Sequence, residues 1–119
     1  MLRVLLADAS PTLRSALSLV LETRLHAQIV GEVDQLEALA AKTAQSRPEI
    51  VLLDWELLSD PKSQWIELLH QMRPAPKVIV IGSQPEIRAE AMAAQAEAYI
   101  SKSEPPECVL EVLSTVRHR

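Results

Sequence analysis

The chain has 119 residues, 48% hydrophobic and 24% charged, with a net charge of −4 at pH 7. The length fits one domain, predicted over residues 1–119, and the composition excludes a disordered chain. The acidic balance argues against binding of nucleic-acid backbones, and the single cysteine, Cys108, excludes an internal disulfide or a cysteine-based zinc site.

The N-terminal apolar run bears on localisation. Residues 1–8 are too few for a signal peptide, and no uncharged stretch reaches the roughly 18 residues of a membrane span. We therefore expect a cytoplasmic protein without membrane contact.

Five short apolar runs alternate with longer helical patterns along the chain. The predicted strands are Leu2–Ala7, Ala27–Val33, Glu49–Leu53, Lys77–Ile81 and Ala98–Ser101. The first, third and fourth are almost wholly apolar, which indicates burial on both faces and hence a parallel sheet covered by helices. The second run is more mixed in polarity, which is typical of an edge strand.

Five helices are predicted between and after these strands. The first begins at Pro11, with Ser10 as a candidate N-cap. The others are indicated by apolar residues at helical spacing, and they cover Leu36–Thr43, Trp65–Met72, Pro85–Gln95 and a segment that begins near Pro105. The fourth is alanine-rich, with Ile87 and Met92 as its large apolar anchors. The pattern predicts an α/β fold, with a flavodoxin-like, doubly wound sheet of five parallel strands in the order 2-1-3-4-5 and five helices.

Charged residues follow three of the predicted strands. Asp8 follows the first, Asp54 the third and Lys102 the fifth. In this fold the first and third strands are neighbours, so the two carboxylates should lie side by side with Lys102 reaching over them. Paired carboxylates attract a hard cation such as Mg²⁺, and a lysine pairs with a phosphoryl oxygen. The arrangement is therefore suited to phosphoryl transfer onto an aspartate.

Four segments together resemble response-regulator receiver domains over the whole chain. They are Leu5–Pro11, Val30–Val33, Pro48–Asp54 and Ala98–Lys102. Val30–Val33 and Ser103–Leu110 are most similar to the NarL-type subgroup, whose receivers precede a helix-turn-helix DNA-binding domain. The resemblance implies two-component signalling, with a histidine kinase as partner and with an output domain outside this chain as its target. A homodimer is also compatible with it, and direct nucleic-acid binding by this domain is not expected.

The resemblance also implies a role for each site residue. Asp54 would be the phosphoacceptor, Asp8 would hold Mg²⁺, and Lys102 would pair with the phosphoryl group. The backbone carbonyl of Glu56 would be a further metal ligand. Tyr99 would be the aromatic switch residue, and the alternative is a strand aromatic that is packed on a helix. No enzymatic activity is expected beyond phosphorylation and dephosphorylation of Asp54 itself.

Two positions depart from the family pattern. Ala9 stands where the family has a second acid, the direct Mg²⁺ ligand, so we expect weak Mg²⁺ binding. Gly82 stands where a Thr or Ser hydroxyl normally contacts the phosphoryl group, and Ser83, one residue later, is a candidate switch residue together with Tyr99. The Glu56 side chain either supplies the missing charge or is solvated. Trp55 is expected to be a partly exposed lid or packing residue.

Three alternative functions follow from the same residues. The first is a degenerate receiver that acts as a phosphorylation-independent interaction or dimerisation module, which Ala9 and Gly82 favour. The second is a phosphatase with an aspartyl-phosphate intermediate; Glu56 occupies the position of its second acid, but no cap domain or further motif follows. The third is a flavodoxin, which the absence of a glycine-rich hydroxyl loop at residues 8–12 opposes.

Overall fold

A computed structural model of the protein describes all 119 residues. The elements are, in chain order, β1 (Arg3–Ala7), α1 (Pro11–Arg24), β2 (Gln28–Val33), α2 (Leu39–Ser46), β3 (Ile50–Asp54), α3 (Ser63–His70), β4 (Lys77–Gly82), α4 (Ile87–Ala93), β5 (Ala98–Ser101) and α5 (Pro106–Arg117). Single 3₁₀ turns at Leu36–Ala38 and Trp55–Leu57 precede α2 and follow β3. None of the helices has the length and hydrophobicity of a membrane-spanning segment.

The five strands form one parallel sheet in the order β2-β1-β3-β4-β5, as predicted. Successive side chains of a strand point to opposite faces, so each central strand contributes to two apolar layers. One layer packs against α2, α3 and α4, and it includes Leu53, Ile66 and Ala91. The other packs against α1 and α5, and it includes Leu21 and Leu113. Both faces of β3 are therefore covered, which explains its unbroken apolar sequence.

The predicted boundaries of the elements hold to within a few residues, and the local signals explain them. Ser10 caps α1, because its Oγ accepts a hydrogen bond of 3.2 Å from the Leu13 N–H. Helix α2 ends at Ser46, because the next residue, Arg47, has a left-handed φ of 48° and stops the helix before Pro48.

Two sequence predictions about packing need correction. Of the two roles predicted for Trp55, it has that of a packing residue and not that of a partly exposed lid, since only 6% of its surface is exposed. The 3₁₀ turn after β3 directs its ring into the layer beneath α3 and α4, where Lys62 Nζ lies 5.4 Å from the ring centroid. Met92 does not anchor α4, because it is 42% exposed; the helix packs through Ile87 and the buried Ala91 instead.

Candidate functional site

The carboxyl ends of β1 and β3 place two aspartates together. Ala7 pairs with Leu53 in the parallel ladder, so Asp8 and Asp54 leave neighbouring strands at the same height. Both side chains are nearly enclosed, with 4% and 5% of the residue surface exposed. Two carboxylates this close and this far from water repel each other unless a positive charge or a proton lies between them.

Lys102 supplies that positive charge. Its backbone N–H donates a 2.8 Å hydrogen bond to the Gly82 carbonyl, which fixes its position just beyond β5. Its Nζ lies 3.5 Å from Asp8 Oδ2 and 3.4 Å from Asp54 Oδ1. The lysine side chain is 31% exposed, against 6% for each carboxylate, so the ammonium lies at the mouth of the pocket. The structure thus brings together the three predicted side chains.

Backbone hydrogen bonds orient both carboxylates. The Ser10 N–H donates to Asp8 Oδ1 at 2.8 Å, and the Glu56 N–H donates to Asp54 Oδ1 at 3.2 Å. Each aspartate therefore closes a short turn onto its own chain, as Asp side chains do when they end a strand. Asp8 Oδ2 is buried and accepts no hydrogen bond. Such an atom keeps lone pairs directed into the pocket, available to a cation.

Sequence reasoning did not identify Arg14, which also supports Asp8. Its Nη1 donates a 2.6 Å hydrogen bond to the Asp8 carbonyl, and its Nε lies 3.0 Å from Glu32 Oε1 on β2. A side chain in the first turns of a helix points back toward the helix N-terminus, here toward the end of β1. The sequence feature that could have identified Arg14 is its position in the first turns of α1.

The electrostatics of the pocket raise the pKa of Asp54 above the ordinary value for an aspartate. Burial is the largest cause, and the neighbouring Asp8 carboxylate adds to it. The Lys102 ammonium and the Glu56 N–H oppose the shift but do not cancel it. The ionised form of Asp54 is therefore less stable in this pocket than in water, which favours binding of a positive charge or a proton.

The donor set fits a divalent cation of the Mg²⁺ type. The two carboxylates, one of whose buried oxygens (Asp8 Oδ2) accepts no hydrogen bond, are the hard ligands that Mg²⁺ prefers, and Mg²⁺ commonly keeps several waters beside one or two carboxylates. The structure gathers no group of three or more His, Cys, Asp or Glu side chains into a metal cluster. The Glu56 side chain is exposed, and Ala9 offers no side-chain oxygen. If Glu56 contributes a ligand to the metal site, that ligand is therefore its backbone carbonyl and not its side chain.

The two residues predicted to form a switch occupy different environments. Ser83 is exposed in the loop after β4. Tyr99 is 2% exposed, and its hydroxyl donates a hydrogen bond to the Gln84 carbonyl in that same loop. The Tyr99 ring therefore lies under the β4–α4 loop rather than on the surface.

Replacing Asp54 with asparagine should raise the free energy of unfolding at pH 7.5, because the burial and the neighbouring Asp8 carboxylate that raise the pKa of Asp54 penalise only its ionised form. Because the folded-state pKa is raised, the stability linked to this carboxyl is present below the unfolded value of 3.8 and is lost as the pH rises through the folded value. Asparagine keeps an oxygen for the Glu56 N–H and carries no charge. Urea unfolding in EDTA should show the gain shrinking from pH 7.5 to pH 4.5. The same change at the exposed Asp60 is the control, and a gain that is independent of pH would contradict the assignment.

Comparison with known proteins identifies a family and a set of relatives. The family model described as "Response regulator receiver domain" matches residues 4–114. The chain is 30% identical to the sensory transduction protein LytT of Bacillus cereus over 113 residues, which is 95% of this chain and 46% of LytT. It is 32% identical over 78 residues to a protein-glutamate methylesterase/protein-glutamine glutaminase of Agrobacterium fabrum, covering 66% of this chain and 22% of that protein. The chain thus spans less than half the length of these relatives.

Solved structures share the fold at lower identity. The receiver domain of RcsB from Salmonella enterica serovar Typhimurium, determined with the phosphomimetic BeF₃⁻, superposes with a TM-score of 0.85 at 19% identity, covering 98% of this chain and 88% of that one. The signal receiver domain of NarL from Mycobacterium tuberculosis gives 0.83 at 23% identity, covering 99% and 98%. At these identities the likeness is evidence for the fold alone.

Proposed function

Because the chain belongs to the receiver domain family of two-component response regulators, we propose that it accepts a phosphoryl group on Asp54. The observation that carries this proposal is the pocket in which Asp54 lies beside Asp8 with Lys102 Nζ 3.4 Å from its Oδ1. Asp54 Oδ1 is engaged by the Glu56 N–H and lies beside Lys102, which leaves Oδ2 for attack on phosphorus. An O–P bond forms while the bond from phosphorus to the donor imidazole or acyl oxygen breaks, and the donor leaves with that electron pair.

Each neighbour of Asp54 has a role in this proposal. Lys102 pairs with a phosphoryl oxygen, since its ammonium is the one positive side chain within reach of both carboxylates. Asp8, Asp54 and the Glu56 carbonyl would hold Mg²⁺, which when bound neutralises negative charge on the transferred group. We expect Mg²⁺ binding to be weak because Ala9 removes one carboxylate. Catalysis is limited to this self-modification.

The remaining assignments follow the family. The phosphoryl donor is a histidine kinase or a small acyl phosphate, in the cytoplasm, and residues 1–119 form the receiver domain. The proposed target of regulation is a partner protein or a helix-turn-helix output domain outside this chain, as in the NarL-type subgroup. A second copy of the chain, which would form a homodimer, is a further proposed partner. The domain itself contacts no nucleic acid in this proposal, consistent with its net charge of −4.

Titration with Mg²⁺ and beryllofluoride, a phosphoryl mimic, tests the proposal. Trp55 directly follows Asp54 and is buried, so its fluorescence reports on the pocket once Trp65 is replaced by phenylalanine. We expect a saturable change at millimolar Mg²⁺ that Asp54→Asn abolishes and the exposed Asp60→Asn leaves intact. A flat response in the parent protein would overturn the proposal and favour the second candidate, a phosphorylation-independent interaction module, which Ala9 and Gly82 support.

A further inference from the structure

The space beside Gly82 is filled by the ring of Tyr99. The two residues lie on the neighbouring strands β4 and β5, where Gly82 pairs with Ser101 and Tyr99 pairs with Val80. A Cβ built on Gly82 would lie 2.8 Å from Tyr99 Cε1 and 2.9 Å from Cζ, and closer still to the hydroxyl oxygen. Such distances are well inside van der Waals contact, so any other residue at position 82 excludes this position of the ring.

Three further contacts hold the ring in place. The Tyr99 hydroxyl donates a hydrogen bond to the Gln84 carbonyl, which joins the ring to the loop after β4. The Arg88 guanidinium lies 5.4 Å from the ring centroid, and Arg88 Nη2 donates to the Tyr99 carbonyl at 3.3 Å. The ring belongs to the apolar layer beneath α3 and α4 and is 2% exposed. The Tyr99 hydroxyl thus has a hydrogen-bond acceptor, its ring is packed among apolar side chains, and a guanidinium lies over the ring face.

Leaving this position would be unfavourable for Tyr99. Gly82 has no side chain that could move into the vacated space, so outward rotation would open a cavity of ring size in a packed layer. Nor does Gly82 offer a hydroxyl through which a group on Asp54 could compensate. A bound group shifts a conformational equilibrium only by contacts that differ between the two states.

We propose that Tyr99 is a fixed core residue in this chain, held inward by the missing side chain at Gly82 whatever is bound at Asp54. This takes the place of the switch role that the family resemblance implies for Tyr99. The surface formed by α4, β5 and α5, lined by Arg88, Met92, Glu104 and Val112, then keeps one shape in both states of Asp54. A partner that binds this surface would therefore not detect phosphorylation of Asp54 through a movement of Tyr99. The proposal goes beyond the phosphoacceptor function and does not depend on it.

Labelling of the tyrosine ring tests the proposal directly, because Tyr99 is the only tyrosine in the chain. Protein labelled with ¹³Cε-tyrosine gives ring signals from this residue alone. We expect the wild-type ring signals to be the same with and without Mg²⁺ and beryllofluoride. Gly82→Ala should expel the ring, and the signals should move to the positions of a solvent-exposed tyrosine.

The other glycine supplies a matched control. A Cβ on Gly31 would meet Lys42 Cε at 2.8 Å, the mobile part of a flexible side chain that can move aside. Gly31→Ala should therefore leave the Tyr99 signals unchanged. Ring signals that stay in place in Gly82→Ala, or that move in the wild-type protein toward the Gly82→Ala positions on addition of beryllofluoride, would overturn the proposal.

Two readouts separate failure of this proposal from failure of the phosphoacceptor proposal. Backbone amide signals near Asp54 report whether beryllofluoride binds, independently of the Tyr99 ring. If Gly82→Ala does not fold, the accessibility of the wild-type ring to a photoexcited dye decides the matter. A protected ring supports the inward position, and a ring that the dye reaches, in either the free or the ligand-bound protein, overturns it.

Discussion

Replacing Ala9 with aspartate is expected to tighten Mg²⁺ binding about tenfold, equivalent to about 1.4 kcal/mol. Ala9 directly follows Asp8 and is exposed, so the new carboxylate adds a hard oxygen and a negative charge next to the existing pair of carboxylates. Affinity for divalent cations rises with the number of charged ligands. Calorimetric titration of Mg²⁺ into the two proteins without any phosphoryl mimic measures the difference.

The same substitution should lower the stability of the metal-free protein, although it strengthens Mg²⁺ binding. A third carboxylate next to Asp8 and Asp54 increases their repulsion, so the Ala9→Asp protein should unfold more easily in EDTA and recover its stability when Mg²⁺ is added. Ala41→Asp introduces the same charge at an exposed site on α2 and should change neither property. Equal Mg²⁺ affinity in all three proteins would place the cation site elsewhere.

The convergence of Asp8, Asp54 and Lys102 could be predicted because it depends on topology alone. Apolar runs identified the strands, and alternation with helices made the sheet parallel, so all the carboxyl ends had to meet at one edge. The ladder that pairs Ala7 with Leu53 then fixes the two aspartates at equal height, whatever the details of packing. No long-range side-chain geometry was needed to reach this result.

Side-chain placement outside the strands could not be predicted in the same way. Trp55 follows a strand and precedes the charged Glu56, and only the 3₁₀ turn that begins with Trp55 directs its ring into the core. Helix α4 is short, so a rotation of roughly 100° about its axis decides whether Ala91 or Met92 faces the sheet. The sequence does show that Gly82 lacks a hydroxyl. It does not show that the ring of Tyr99 occupies the space beside Gly82, because that depends on distances between neighbouring strands.

Replacing Lys102 with glutamine is expected to change two affinities in opposite directions. The ammonium lies 3.5 Å from Asp8 Oδ2 and 3.4 Å from Asp54 Oδ1, so it competes with Mg²⁺ for the same carboxylates. Without it, Mg²⁺ alone should bind several-fold more tightly, as expected when a competing positive charge is removed. Beryllofluoride at saturating Mg²⁺ should bind about 100-fold more weakly, because the positive partner of the phosphoryl oxygens is lost.

The opposed signs separate this outcome from simple damage to the fold, which would weaken both affinities. Since Lys102 lowers the pKa of Asp54, its removal raises that pKa further, and both titrations should be run at alkaline pH, which favours the ionised form of Asp54. Lys102→Arg keeps the charge but replaces a compact ammonium with a planar guanidinium, and it should retain part of the beryllofluoride affinity. Lys42→Gln on α2 is the matched control for loss of a lysine. If Lys102→Gln weakened Mg²⁺ binding together with beryllofluoride binding, the lysine would be supporting the pocket structurally rather than sharing its carboxylates with the cation.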